Sequence, residues 1–175
     1  MNKELERTNK FYDNKNFIKN IILFNTGNDE IIYGQSAINI QLPLKLRVYT
    51  EDYDIFCKNP KFEAKQVEKA LDKHFGGNFF KVIEAFHKGT FRVVSLIDGK
   101  VYADYTKIPK YVDYIIINGK KYITLNYAKK DKLKILKDPQ AKFRHSKDRD
   151  ALNRINIVQS INHYPNLLIN KFKYL

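Results

Sequence analysis

Cysteine is nearly absent. Cys57 is the single one in 175 residues, so no internal disulfide can form and the paired C-x-x-C spacings of zinc sites are excluded. This predicts a reducing, intracellular setting. Long apolar runs are missing too. Residues 21–24, the longest such run near the amino terminus, fall far short of a signal-peptide core or a membrane span of about 20 residues. The expectation is therefore a soluble, cytoplasmic protein without a membrane partner. No internal repeat or low-complexity linker interrupts the chain. Acids are outnumbered, with 19 Asp+Glu against 32 Lys+Arg and a formal net charge of +13.

What is present is enough for one real core and too little for two generous ones, with 43% hydrophobic residues. A single domain over residues 1–175 is expected, with a core at about 30–126 and a helical carboxy-terminal segment at about 127–175. The basic excess is spread along the chain and forms no detachable tail, which favours a positive surface that attracts phosphates or nucleic acid. The bland alternative is solubility in a lysine-rich chain.

Phe17, Ile18, Ile21 and Ile22 have the spacing of a buried helix face within residues 4–24. A short strand over 30–33 runs into Gly34-Gln35-Ser36 and a helix from Ala37 to Ile40. A strand over 53–57 is ended by Lys58-Asn59-Pro60, and an amphipathic helix follows over 61–75, with Ala64, Val67 and Leu71 on one face and Gly76-Gly77 as its stop. The period then becomes extended. Strands are predicted over 79–86, 90–96 and 100–106, with Asp98-Gly99 as a tight turn, and a further hairpin pairs 115–117 with 122–125 around Asn118-Gly119. The remainder reads as helical, ending in an amphipathic stretch over 148–161. These elements predict an α+β fold, a small mixed sheet flanked by helices.

Acids are concentrated where they are least expected. Glu51, Asp52 and Asp54 are followed at once by Ile55 and Phe56, and carboxylates drawn together toward an interior repel unless a cation joins them. Residues two apart in a strand share a face, so Asp52 and Asp54 present two carboxylates side by side. Asp104 interrupts another apolar strand and supplies a third. Three such groups can hold two Mg²⁺ or Mn²⁺ ions, one activating a hydroxyl and one gripping leaving phosphates. Gly34, Gln35 and Ser36 would then cradle the phosphates, with glycine allowing close approach and Ser36 donating a hydrogen bond. Arg144, Lys147 and Arg154 are candidates for nucleic-acid contact, set against a solvated helix start with Ser146 as cap. His87 is read as a hairpin residue and Cys57 as a core thiol, while Tyr33, Tyr53 or Tyr105 could stack on a base.

In order, Tyr33-Gly-Gln-Ser-Ala-Ile-Asn39, Thr50-Glu-Asp-Tyr-Asp-Ile-Phe56, Asn59-Pro60, His87-Lys-Gly-Thr-Phe-Arg-Val93 and Ala103-Asp-Tyr-Thr-Lys-Ile-Pro109 resemble the nucleotidyltransferase domain of the polymerase-beta superfamily. More narrowly, they are similar to the catalytic subunits of poly(A) polymerases of large cytoplasmic DNA viruses. The resemblance runs from about residue 30 to 157. It implies transfer of a nucleoside monophosphate from an NTP, ATP by the family's habit, to an RNA 3′-hydroxyl. Asp52 and Asp54 would ligate both ions and Asp104 the ion at the acceptor hydroxyl. The resemblance also implies RNA as a partner, a possible second protein subunit, and a host-cytoplasm or virion setting. Gln35 stands where the family commonly has a second glycine. The alternatives are transfer to a small molecule, tRNA or protein, or a silent member that binds RNA or a partner.

Overall fold

The computed structural model describes residues 3–163. The tail of the expected carboxy-terminal helical segment, residues 164–175, lies outside the described residues. The chain opens with α1 (Lys3–Asn14), a 3-10 turn at Lys15–Phe17 and α2 (Ile18–Asn25). β1 (Ile31–Tyr33) leads directly into α3 (Gly34–Ile40), and β2 (Tyr53–Cys57) into α4 (Pro60–Phe75). β3 (Phe80–Glu84), β4 (Thr90–Ser95), β5 (Val101–Lys107), β6 (Tyr114–Ile117) and β7 (Lys120–Ile123) follow. The chain then forms α5 (Leu125–Leu136), a 3-10 stretch at Pro139–Arg144 and α6 (His145–His163). The architecture is the expected mixed α and β arrangement.

All seven strands form one sheet in the order β3-β4-β5-β2-β1-β7-β6. β2 runs parallel to β5 and antiparallel to β1, while β1 runs parallel to β7. Ile55, Val93, Ala103 and Tyr105 face a closed layer and are fully buried. Ala64, Val67, Leu71 and Phe75 of α4 cover that layer, and the amino-terminal helices pack against α4 in turn. Pro60 in the first turn and Gly76 at φ +69° delimit α4 as residues with those backbone preferences should. The Asp72 carboxylate then accepts the backbone N–H groups of Phe79 and Phe80 at 2.8 and 2.9 Å, turning the chain into β3. On the other side, α5 and α6 pack on each other and on α3.

Three local readings change. The amino-terminal helical stretch is broken by the 3-10 turn, so Phe17 is rotated out to 50% exposure while Phe11, unremarked in the sequence, is fully buried among Phe75, Phe79 and Phe80. The second strand of the last hairpin begins at Lys120, and Leu125 starts a helix, because the Thr124 hydroxyl caps α5 by accepting the N–H of Tyr127. Finally, α3 begins at Gly34 with no intervening turn.

That junction places the site. Gly34 has φ +66°, and a Cβ there would lie 1.9 Å from Oδ2 of Asp54. The close approach that demands glycine is therefore to an aspartate of this chain. Gly34→Ala should lower unfolding free energy by about 1–3 kcal/mol in urea titration, through backbone strain and the forced turning of Asp54. A variant as stable as the wild type would show that this junction is not constrained as described.

Candidate active site

Asp54 lies opposite Asp104 in the parallel pairing of β2 and β5 and opposite Tyr33 in the pairing with β1. Residues directly paired across strands share a face, so Asp54 and Asp104 are neighbours on the sheet surface turned away from α4. Asp52, two residues earlier, joins them. All three line one cleft of about 700 Å³. Its floor includes Tyr33, stacked on Phe56 at 3.8 Å between ring centres and sharing a hydrogen bond with Thr106 Oγ1 at 3.0 Å. Burial, then the charges of Asp52 and Asp104, push the Asp54 carboxyl up to about 7, against a partial offset from Lys132 and Lys147. Burial also raises Asp104, with the nearby guanidinium of Arg92 opposing.

Arg92 accounts for the main departure from expectation. It faces Asp104 across β4 and β5, and its Nε and terminal nitrogen donate to the two carboxylate oxygens at 3.0 and 3.1 Å. Asp52 Oδ1 accepts from the Thr50 hydroxyl at 2.6 Å. Consequently no three acidic, histidine or cysteine side chains among the described residues are arranged to hold one ion. The expected three-carboxylate cage is not assembled among the described residues, and both Asp104 oxygens instead accept from Arg92. The donor chemistry nevertheless suits a hard divalent cation. Asp52 and Asp54 adjoin, and the strongly perturbed Asp54 carboxylate takes no hydrogen bond from the described residues.

The opposite wall comes from α5, the 3-10 stretch and α6. Asp148 is 1% exposed and accepts from Lys132 at 3.1 Å and from Arg144 at 2.9 Å. Burial opposes its ionisation, but those two cations prevail and lower its pKa. Arg144 is thus tied down, while Lys147 lines the cleft near Asp54 with no hydrogen bond or ion pair among the described residues. Phe143 stands at the same wall, 87% exposed, with His87 of the β3–β4 turn also lining the cleft.

Other expected site residues are placed differently. Arg154 is 7% exposed. It is bound to Asp150 at 3.0 Å, to the Leu46 carbonyl at 3.4 Å and to Gln35 Oε1 at 3.3 Å, so it fastens α6 to α3 and offers no free cation to a polynucleotide. Gln35 is correspondingly engaged, its amide donating to Asn39 Oδ1 at 2.9 Å. Ser36 donates its hydroxyl to the Asp52 carbonyl at 2.9 Å, which ties α3 to the segment before β2 and removes the donor expected for a phosphate. Tyr105 is fully buried beneath the sheet and cannot stack on a ligand. The sequence pattern gives Arg92 and Lys132 no role and reads Asp148 only as an acid in the first turn of a helix. Arg92 lies within the His-Lys-Gly-Thr-Phe-Arg segment, where its strand position was the available signal.

The Asp54 carboxyl sets a pH dependence. An unfolded aspartate titrates near 3.9, so between about pH 4 and 7 the folded protein holds a proton that the unfolded chain has released. Stability then falls as pH rises through that window. Buried Glu30 is likewise pushed up to about 7, chiefly by burial, and acts with the same sign. Metal-free protein should therefore melt at a lower temperature at pH 8 than at pH 5, and Asp54→Asn should raise the pH 8 value and reduce the slope to the part owed to Glu30 and Asp104. An unchanged slope in the variant would contradict the electrostatic account.

The pattern of the family described as Poly(A) polymerase catalytic subunit matches residues 18–142. Among solved structures, the Megavirus polyadenylate synthase is similar with a TM-score of 0.69 at 21% identity, over 86% of this chain and 32% of that one. The chain thus spans about a third of that protein's length, and the likeness speaks for the fold. JHP933 from Helicobacter pylori is more distant, with a TM-score of 0.40, 11% identity and coverage of 91% of this chain and 97% of that one. No curated protein sequence matches. With the family pattern covering most of the sequence, the chain belongs to the poly(A) polymerase catalytic subunit family.

Proposed function

We propose that the chain is a metal-dependent nucleotidyltransferase that moves a nucleoside monophosphate from an NTP, ATP by family precedent, to an RNA 3′-hydroxyl. The observation that carries this reading is the convergence of Asp52, Asp54 and Asp104 on one face of the sheet in a cleft whose far wall is cationic. Nothing in the fold requires three carboxylates there, and their repulsion is relieved only in part by Arg92.

Asp52 and Asp54 are the residues that would hold Mg²⁺ or Mn²⁺, which when bound lowers the pKa of an acceptor hydroxyl and screens phosphate charge. Gly34 leaves room for the Asp54 carboxylate. Lys147, uncommitted among the described residues and close enough to shift Asp54, is placed to meet phosphate oxygens. A turn of Asp104 away from Arg92 would free both its oxygens for the ion, and the guanidinium would then face the same cleft as a further phosphate ligand. Positioning and charge stabilisation are most of what phosphoryl-type transfer asks of a protein.

A silent family member that binds RNA or a partner is the second reading, favoured by the engagement of Asp104 with Arg92. Incubation of the purified chain with labelled NTPs, Mg²⁺ or Mn²⁺ and short RNAs separates the two. Extension by the wild type, reduced at least about 100-fold in Asp54→Asn, is the expected result. Incorporation that survives Asp54→Asn, or none with any RNA and either metal, would reject the catalytic reading.

A further inference from the structure

Lys147 lines two concavities at once. One is the carboxylate cleft, and the other is a shallow recess shared with Asp52, Lys100 and Tyr49. Through Tyr49 and Thr50 that recess continues into a third, of about 380 Å³, walled by Lys19, Arg47 and Tyr53. The three are consecutive, and residues 49–52 form the saddle between them.

Charge is distributed unevenly along this run. Inside the cleft, Arg92, Arg144 and Lys132 each contact a carboxylate. Lys147, shared by cleft and recess, makes no hydrogen bond or ion pair among the described residues, and beyond it Arg47 and Lys19 donate only to the carbonyls of Leu42 and Thr50, at 2.7 and 2.5 Å. Neither bond neutralises a charge: Lys19 feels the nearby carboxylates of Asp52 and Glu51, while Arg47 makes no ion pair among the described residues. Glu51, the acid on the saddle beside Asp52, is shared by Lys100 at 2.6 Å and Lys15 at 3.9 Å. The Tyr49 side chain is 83% exposed despite its size, and Tyr53 in the recess carries the Lys19 ammonium 5.2 Å from its ring centre.

Cations at intervals with an open aromatic ring among them match a ligand that alternates phosphates and flat bases, which is a single-stranded polynucleotide. An acidic peptide would use the cations and leave the ring without a purpose. Tyr49 is three residues from Asp52, at most about 11 Å of chain, so a base stacked on it would lie within a few nucleotides of the carboxylates. The footprint expected at Arg144 and Arg154 is largely spent on internal bonds, while Lys147 remains at the point where cleft and recess meet.

We propose that the run from Lys147 past Tyr49 to Arg47 and Lys19 is the track of single-stranded RNA whose 3′ end enters the cleft. Tyr49 stacks on a base, and Lys147, Arg47 and Lys19 meet phosphates. The direction of the strand rests on the nucleotidyltransferase reading, whereas the binding surface itself does not.

The test is fluorescence anisotropy of a labelled oligoadenylate at low and rising salt. It compares the full chain, the double variant Arg47→Gln/Tyr49→Ala, the single variant Tyr49→Phe, and Lys69→Gln, which removes one charge from an exposed position on α4. Both altered track residues are exposed, and thermal melting checks that each variant folds. The double variant should bind at least about tenfold more weakly, with a salt slope reduced by about 1. Tyr49→Phe and Lys69→Gln should bind like the wild type, and Mn²⁺-dependent binding of NTP alone should be the same in all four. Wild-type affinity in the double variant, or no RNA binding by the wild type at low salt, would overturn the track. RNA binding that responds as described in a chain that incorporates no nucleotide would uphold the track and reject the catalytic reading instead.

Discussion

Two strands running in the same direction bring Asp54 and Asp104 side by side, and a third carboxylate, Asp52, follows from the period of the strand. That crowding of like charge at the foot of a cleft is the constraint around which the neighbouring structure is arranged. It lifts the Asp54 carboxyl to about 7, demands a residue without a side chain at position 34, and draws Arg92 into a two-pronged bond with Asp104. Like charges so placed destabilise a fold unless a cation enters. Here the chain provides one for Asp104 and leaves Asp54 without a hydrogen bond among the described residues.

The cations divide accordingly. One set is structural. Lys132 and Arg144 neutralise buried Asp148, and Arg154 joins α6 to α3 through Gln35. These contacts tie α5, the 3-10 stretch and α6 to one another and α6 to α3, and breaking a buried ion pair by removing a single partner is generally far more harmful than the net worth of the pair suggests. The other set, Lys147, Arg47 and Lys19, makes no ion pair among the described residues, although Lys147 lies near Asp54 and Lys19 near Asp52 and Glu51. A net charge of +13 therefore does not coat the molecule evenly in effect, since part of it is consumed inside.

Much of the layout was legible in the sequence because it depends on short-range rules. The period of α4, its proline start and glycine stop, and the same-face pairing of Asp52 and Asp54 are local. The partner of Asp104 was not legible, for a reason of register. A two-residue turn at Asp98-Gly99 would set Arg92 opposite Tyr105, on the closed side of the sheet. The actual loop is longer, with the Ser95 N–H bonded to the Lys100 carbonyl, and a register shift at Val93/Val94 brings Arg92 opposite Asp104. Arg154 misled for a different reason. Its spacing on a basic helix resembles a surface footprint, and only the tertiary packing of α6 on α3 reveals that it is buried. Ser36 likewise finds its acceptor sixteen residues away, at the Asp52 carbonyl, which no local pattern foretells.

The central claim is that the cluster awaits a divalent cation at Asp52 and Asp54. It is tested most directly by anomalous diffraction from crystals of the chain grown with Mn²⁺ and a non-hydrolysable NTP analogue. The account predicts an anomalous peak between the Asp52 and Asp54 carboxylates, with Asp104 turned toward it and Arg92 moved onto the phosphates. A cleft with no peak, in which Arg92 still holds both oxygens of Asp104 at saturating Mn²⁺ and nucleotide, would contradict it.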